Sequence, residues 1–148
     1  MKSEEINMDI KEMMNFVKGI EFIDEDHKEK FNELMKNDNA RDTDVERKAL
    51  FYIVSGNEEL YFQRDKIYNF KSHQIELGNY IEGKIMLSGG TNRMLYLAYH
   101  LYNGFNFERI DENKKDYELS INDIFSGIDI KGYKVCINAL NIRFGRMK

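Results

Sequence analysis

Residues 46–70, ERKALFYIVSGNEELYFQRDKIYNF, decide the fold. The run 49–54 is the densest apolar stretch in the chain, and Phe51 and Tyr52 widen its apolar arc beyond one face. That pattern marks a central helix touched on several sides. Thr43 and Glu46 read T-x-x-E, a capping box that predicts the helix start. Gly56 predicts the stop as a left-handed residue, and Asn57 with Glu58 and Glu59 predicts an immediate restart. A short helix over 58–65 and an extended exit through 67–70 complete the stretch.

Helices are predicted on both sides of it. Ser3, Glu4 and Glu5 open a first helix near 4–18, with Ile6, Ile10, Met13, Met14 and Val17 at helical spacing and Gly19 as its stop. Asp24 caps a second helix through Lys36, stapled by Ile23, with His27, Phe31, Leu34 and Met35 inward and His27 half-buried. Residues 37–42 form a polar turn. After residue 70 the glycines at 78, 83, 89 and 90 break the pattern, which fits a small hairpin pairing 74–77 with 84–87 or an irregular loop.

Thr91 reads as the cap of a strong helix carrying Met94, Leu95, Leu97, Ala98 and Leu101 and ending at Gly104, after which Phe105 and Phe107 turn back to the core. Residues 108–118 read as a charged loop, and Ser120 caps a short helix through Phe125. A last helix over 130–144 turns Tyr133, Cys136, Ile137, Leu140 and Phe144 inward, with Arg143 near its negative end. The expected fold is mostly α, a compact bundle of five to seven helices around a central helix, with at most one small β-hairpin. A single domain, 1–148, is expected, with residues 1–20 as a helical extension and 21–148 as the core.

Composition sets the class. With 42% hydrophobic and 32% charged residues, the 148-residue chain is globular, and it lacks proline and tryptophan. One cysteine, Cys136, excludes an internal disulfide and suits a reducing compartment. The first residues lack the pattern of a signal peptide, and no apolar run is long enough to span a membrane. A cytoplasmic protein without membrane attachment is expected. Charge is uneven: residues 3–46 carry fourteen acidic side chains against six basic, and residues 47–148 carry twelve against fifteen. Such a chain lacks the basic footprint of a direct nucleic-acid binder.

Candidate sites follow from these patterns. The acidic run Glu21, Asp24, Glu25, Asp26, Glu29 and Glu33 is the expected contact surface for a protein partner with a basic face. Gly89, Gly90, Thr91 and Arg93 at a helix start form an alternative phosphate-binding site, although the full phosphate-loop pattern is missing. His27 has no second ligand at a diagnostic spacing, so no metal and no cofactor is expected. His73 is read as a loop residue. Cys136 reads as packing rather than nucleophile. No catalytic set emerges, which points away from an enzyme without excluding one.

The pieces ERKALFYIVSGNEELY (46–61), IYNF (67–70), LYNGF (101–105) and INALNIRF (137–144) resemble a family of short uncharacterised proteins from Firmicutes, a domain of unknown function common on phages and mobile elements. The resemblance spans 22–144. It implies an accessory protein of a mobile element and transfers no catalytic residues. Three functions are therefore expected in order. The first is a small binding protein, in its concrete form an anti-CRISPR inhibitor of a host defence nuclease acting through its acidic face. The second is a small nucleotide- or phosphate-binding enzyme using the Gly-rich loop. The third is a structural, homo-oligomeric module.

Overall fold

The computed structural model describes residues 17–105, 113 and 118–145. Its elements are α1 (Glu25–Asp38), α2 (Val45–Ser55), α3 (Glu58–Phe62), α4 (Arg64–Ile67), β1 (Tyr68–Asn69), β2 (Gln74–Ile75), α5 (Leu77–Ile81), α6 (Gly89–Asn103), α7 (Ile121–Ser126) and α8 (Ile130–Phe144). The described residues form a helical bundle with one two-stranded antiparallel hairpin, pairing Tyr68 with Ile75 and Asn69 with Gln74. α2 is its axis and packs against α1, α6 and α8. Its residues 48–55 are all buried, so each large apolar side chain there contributes on the order of 1.5–3 kcal/mol of transfer free energy.

Several caps follow the expectation. Asp24 accepts the His27 N–H at 2.8 Å, Asn57 accepts the Leu60 N–H at 3.1 Å, and Ser120 forms a capping box with Asp123. Gly104 closes α6 in the left-handed conformation, φ 74°, where a Cβ would be strained.

Other boundaries differ, each for a local reason. α2 is capped by Asp44, not by a Thr43–Glu46 box. One Asp44 oxygen accepts the Arg47 N–H at 3.0 Å and the other takes the Arg47 guanidinium at 2.7 Å, a charge-assisted pair that a hydroxyl cannot match. Gly56 ends α2 at φ −86°, outside the left-handed region. Its lack of a side chain serves packing instead, because a Cβ there would lie 3.0 Å from His27 and from Val135. The expected helix 58–65 is broken at Gln63 into α3 and α4.

The hairpin uses residues 68–69 and 74–75 rather than 74–77 and 84–87. The Asn69 side chain accepts the N–H groups of Lys71 and Ser72 and pins the turn, which His73 closes at φ 60°. Residues 77–81 are helical. Ser88 flanks α6 in extended backbone, so Gly89, Gly90 and Thr91 form its first turn and Thr91 is not the cap.

α8 departs most. It buries Gly132, Val135, Cys136, Ala139 and Ile142, whereas Tyr133 and Phe144, expected inward, are 49% and 64% exposed. The small residues win that face because the crossings are close: a Cβ on Gly132 would lie 3.2 Å from Met94 Sδ. The expected first helix lies outside the described residues except at its end. Val17 there is helical and Gly19 stops it at φ 76°. Phe107 and most of the expected 108–118 loop also lie outside the described residues.

Candidate functional site

With Gly132, Val135, Cys136, Ala139 and Ile142 in the core, α8 leaves Ile130, Tyr133 and Phe144 exposed and Ile137 and Leu140 half-buried. Ile130, Tyr133, Ile137, Leu140 and Phe144 are spaced three, four, three and four apart, the seam of a helix that packs on another helix. Ile130 is 77% exposed. Between this seam, α6 and α7 opens a cleft of about 740 Å³, lined among others by Leu97, Leu101, Ile124 and Phe125. That volume is in the range of ligand sites, which are mostly apolar with few polar groups. On the other side of the seam lies a second groove, between Glu21, Phe22 and Ile23 and the α8 residues from Ile130 to Asn138, with Lys131 and Lys134 on its rim.

Three polar residues mark the cleft rim. His100 Nδ1 is 2.7 Å from the Phe105 carbonyl and donates to it, so in the neutral ring Nε2 is an acceptor. Its ring stacks parallel to Tyr96 with centroids 6.4 Å apart. Arg143 donates from Nε to the Leu101 carbonyl at 2.9 Å and approaches Glu46 at 3.8 Å. The Arg143–Leu101 bond joins α8 to α6 at the cleft rim. Cys136 points the other way, into the core, where burial pushes its thiol up to about 12 and removes it as a nucleophile near neutrality.

The acidic run is exposed along α1 but largely engaged. Asp24 caps the helix, Asp26 pairs with Lys30 at 2.8 Å, and Glu33 accepts from Tyr61 Oη with Arg64 4.0 Å away. Glu25 and Glu29 complete a ridge with Glu33. Glu21 is set apart, in the second groove, where its carbonyl accepts from Tyr52 Oη at 2.5 Å.

At the start of α6 the four residues expected to bind phosphate are each in contact with neighbouring groups. Thr91 is buried, its Oγ1 bonded by Ser88 at 3.0 Å and Asn57 at 3.3 Å. The Arg93 guanidinium lies over Gly127, where a Cβ would come within 2.2 Å of it. Gly90 admits the Gly127 carbonyl, 3.1 Å from where its own Cβ would be. Glu59 lies beside them: it accepts from Ser88 at 2.8 Å, and hydrogen bonds from Thr91 and Ser88 hold its carboxyl below the usual range.

One cluster went unseen in the sequence. Asp38, with its side chain 1% exposed, lies 2.7 Å from His73 Nδ1 and 3.1 Å from Arg47 Nε. Arg47 also donates to Tyr68 Oη and to the His73 carbonyl, each at 3.0 Å. Every arm of that guanidinium is used, so the cluster latches the hairpin to the end of α1 and the start of α2. Among the described residues, no group of three or more His, Cys, Asp or Glu side chains could hold a metal ion. Nor is any described helix long and apolar enough to cross a membrane.

A family model described as a family of unknown function, DUF6075, matches residues 17–148. The chain belongs to DUF6075. Membership agrees with the resemblance read from the sequence as far as an uncharacterised domain family. The DUF6075 match contains the cleft, the α1 ridge and the Asp38 latch alike. Comparison with curated proteins and with solved structures gave no significant match.

Proposed function

We propose that this DUF6075 member is a non-enzymatic binding module that takes an amphipathic helix of a protein partner along the outer face of α8. The observation that carries this reading is the heptad-spaced seam beside an apolar cleft of about 740 Å³. Helix-in-groove recognition reads apolar anchors at such spacing, and a large exposed apolar patch marks a contact surface.

A second reading keeps the acidic ridge of Glu25, Glu29 and Glu33, with Glu21, Asp24 and Asp26 around it, as the contact for a basic partner. Its concrete form is a mobile-element inhibitor that covers the phosphate-binding Lys and Arg of a defence nuclease. The favouring observation is that Glu25 and Glu29 are exposed and have no ion pair among the described residues.

Affinity capture from source-cell lysate separates the two readings. The full-length protein is compared with Ile137→Asp and with Glu25→Lys/Glu29→Lys. Loss of the captured protein in Ile137→Asp alone supports the α8 face. Loss in the charge-reversed variant alone overturns it in favour of the acidic ridge.

A further inference from the structure

We propose that the helix taken up by the outer face of α8 is acidic: an amphipathic helix of a different protein, with Glu or Asp flanking its apolar stripe. That face is the one assigned above to partner binding, so this inference rests on that reading and names the chemistry of the partner.

The seam fixes a register. With Ile130, Ile137 and Phe144 at a and Tyr133 and Leu140 at d, Lys134 takes e, Lys131 takes b and Arg143 takes g. On a helical wheel e and b lie on one flank of the seam and g on the other. The two openings match this division: Lys131 and Lys134 line the second groove, whereas Arg143 lines the cleft. Charges that flank such a seam set partner choice. Here they are all positive, since α8 holds no Asp or Glu between Ile130 and Phe144, in a chain of net charge −4.

These cations are open to a partner. Lys131 and Lys134 are exposed, and neither pairs with a carboxylate among the described residues. The nearby acids are engaged elsewhere: Asp129 accepts the Gly132 N–H at 2.7 Å as the cap of α8, Asp123 is held in the Ser120 capping box, and Asp26 pairs with Lys30. Glu21 shares the second groove with the two lysines and pairs with neither. Arg143 donates from Nε to the Leu101 carbonyl and lies over the Phe144 ring, 4.7 Å from its centroid, with Glu46 3.8 Å away. The seam therefore carries positive charge beside its apolar anchors at both ends. A second copy would bring the same cations and no α8 carboxylate to meet them, which favours a heterologous partner over a dimer on this face. At 1.5 Å per residue the seam is about 21 Å long, so a partner helix of about four turns covers it.

The test uses the full chain and three fluorescein-labelled synthetic helical peptides. They share one Leu seam and differ only at the flanking positions, which are Glu, Gln or Lys. Fluorescence anisotropy is expected to give the Glu peptide an affinity about fivefold or more above the Gln peptide, from exposed ion pairs to Lys131, Lys134 and Arg143. Raising the salt from about 0.05 M to about 0.5 M is expected to narrow that ratio. In Lys131→Glu/Lys134→Glu, changed at two exposed positions, the preference is expected to vanish or invert while the Gln peptide binds as before. Ile130→Ser/Tyr133→Ser, which removes exposed anchors without adding charge, is expected to weaken the Glu and Gln peptides alike. Equal affinity for the Glu and Gln peptides, or a preference for the Lys peptide, overturns this inference and leaves the face as the site of a helix of other chemistry. A Glu preference that survives the lysine reversal overturns it as well, because the deciding charge then lies elsewhere. Binding by none of the three overturns both this inference and the reading it rests on.

Discussion

His27 makes stability depend on pH in a way that can be worked out from its surroundings. The ring is 3% exposed, its Nδ1 accepts the Ile23 N–H at 3.2 Å, and its Nε2 donates to the Tyr52 carbonyl at 2.9 Å. Both nitrogens are committed in the neutral form, so a second proton would face the Ile23 N–H with nowhere to go. Burial holds the pKa below its ordinary 6.5, with Lys131 acting in the same direction and the Tyr52 carbonyl, Asp24 and Asp26 opposing.

The sign follows. A depressed histidine pKa means that the unfolded chain takes up the proton first. Stability is therefore fully present above pH 6.5 and declines as pH falls below it, until the folded value is reached. Between pH 7.5 and 5.5 the ceiling on this loss is about 1.4 kcal/mol, reached if the folded ring stays neutral throughout. Urea unfolding of wild type and His27→Gln at both pH values isolates the contribution, since the two proteins differ at that position alone. Wild type is expected to lose the additional stability and His27→Gln to lack that component. An equal decline in the two proteins would refute the assignment of His27 as a buried neutral ring.

Further outcomes follow from packing. Asp38→Ala removes a buried carboxylate from Arg47 and His73 and is expected to cost about 2–3 kcal/mol in denaturant unfolding. That is less than the ~3–5 of a fully buried pair, because Arg47 is 27% exposed and keeps Asp44. Gly56→Ala places a methyl 3.0 Å from His27 and Val135 and is expected to cost about 1–3 kcal/mol by overpacking, read as a lower unfolding midpoint at unchanged slope. Cys136 is expected to resist thiol reagents at pH 8 in the native protein and to react at once in denaturant, because its thiol is buried and pushed up to about 12.

What the sequence made legible was local. The burial of 49–54, the caps at Asp24, Asn57 and Ser120, and the stop at Gly104 each depend on residues within four positions of one another, where spacing and chemistry decide. α8 was harder to read because it is apolar on two faces. Bulk favoured Tyr133, Ile137, Leu140 and Phe144 for the core beside Cys136, and only the close crossings at Gly56 and Gly132 show why Val135 and Ala139 join Cys136 there instead.

The Asp38–Arg47–His73 latch was invisible for a different reason. Asp38 and His73 are thirty-five residues apart and meet only because the hairpin folds back onto α1. At Gly89 and Gly90 the motif pointed to a helix start correctly, and the Glu59 carboxylate, supplied by α3, accepts from the Ser88 hydroxyl beside it. The acidic run was visible in sequence. The engagement of Asp26 by Lys30 and of Glu33 by Tyr61 and Arg64 depends on side chains whose approach needed the fold.

The central claim is that recognition occurs on the outer face of α8, and hydrogen exchange on the captured complex tests it most directly. Slowed exchange in peptides covering 130–144 and 96–104, with α1 unchanged, is the predicted footprint. Protection confined to residues 25–36, with α8 exchanging as in the free protein, would contradict the account.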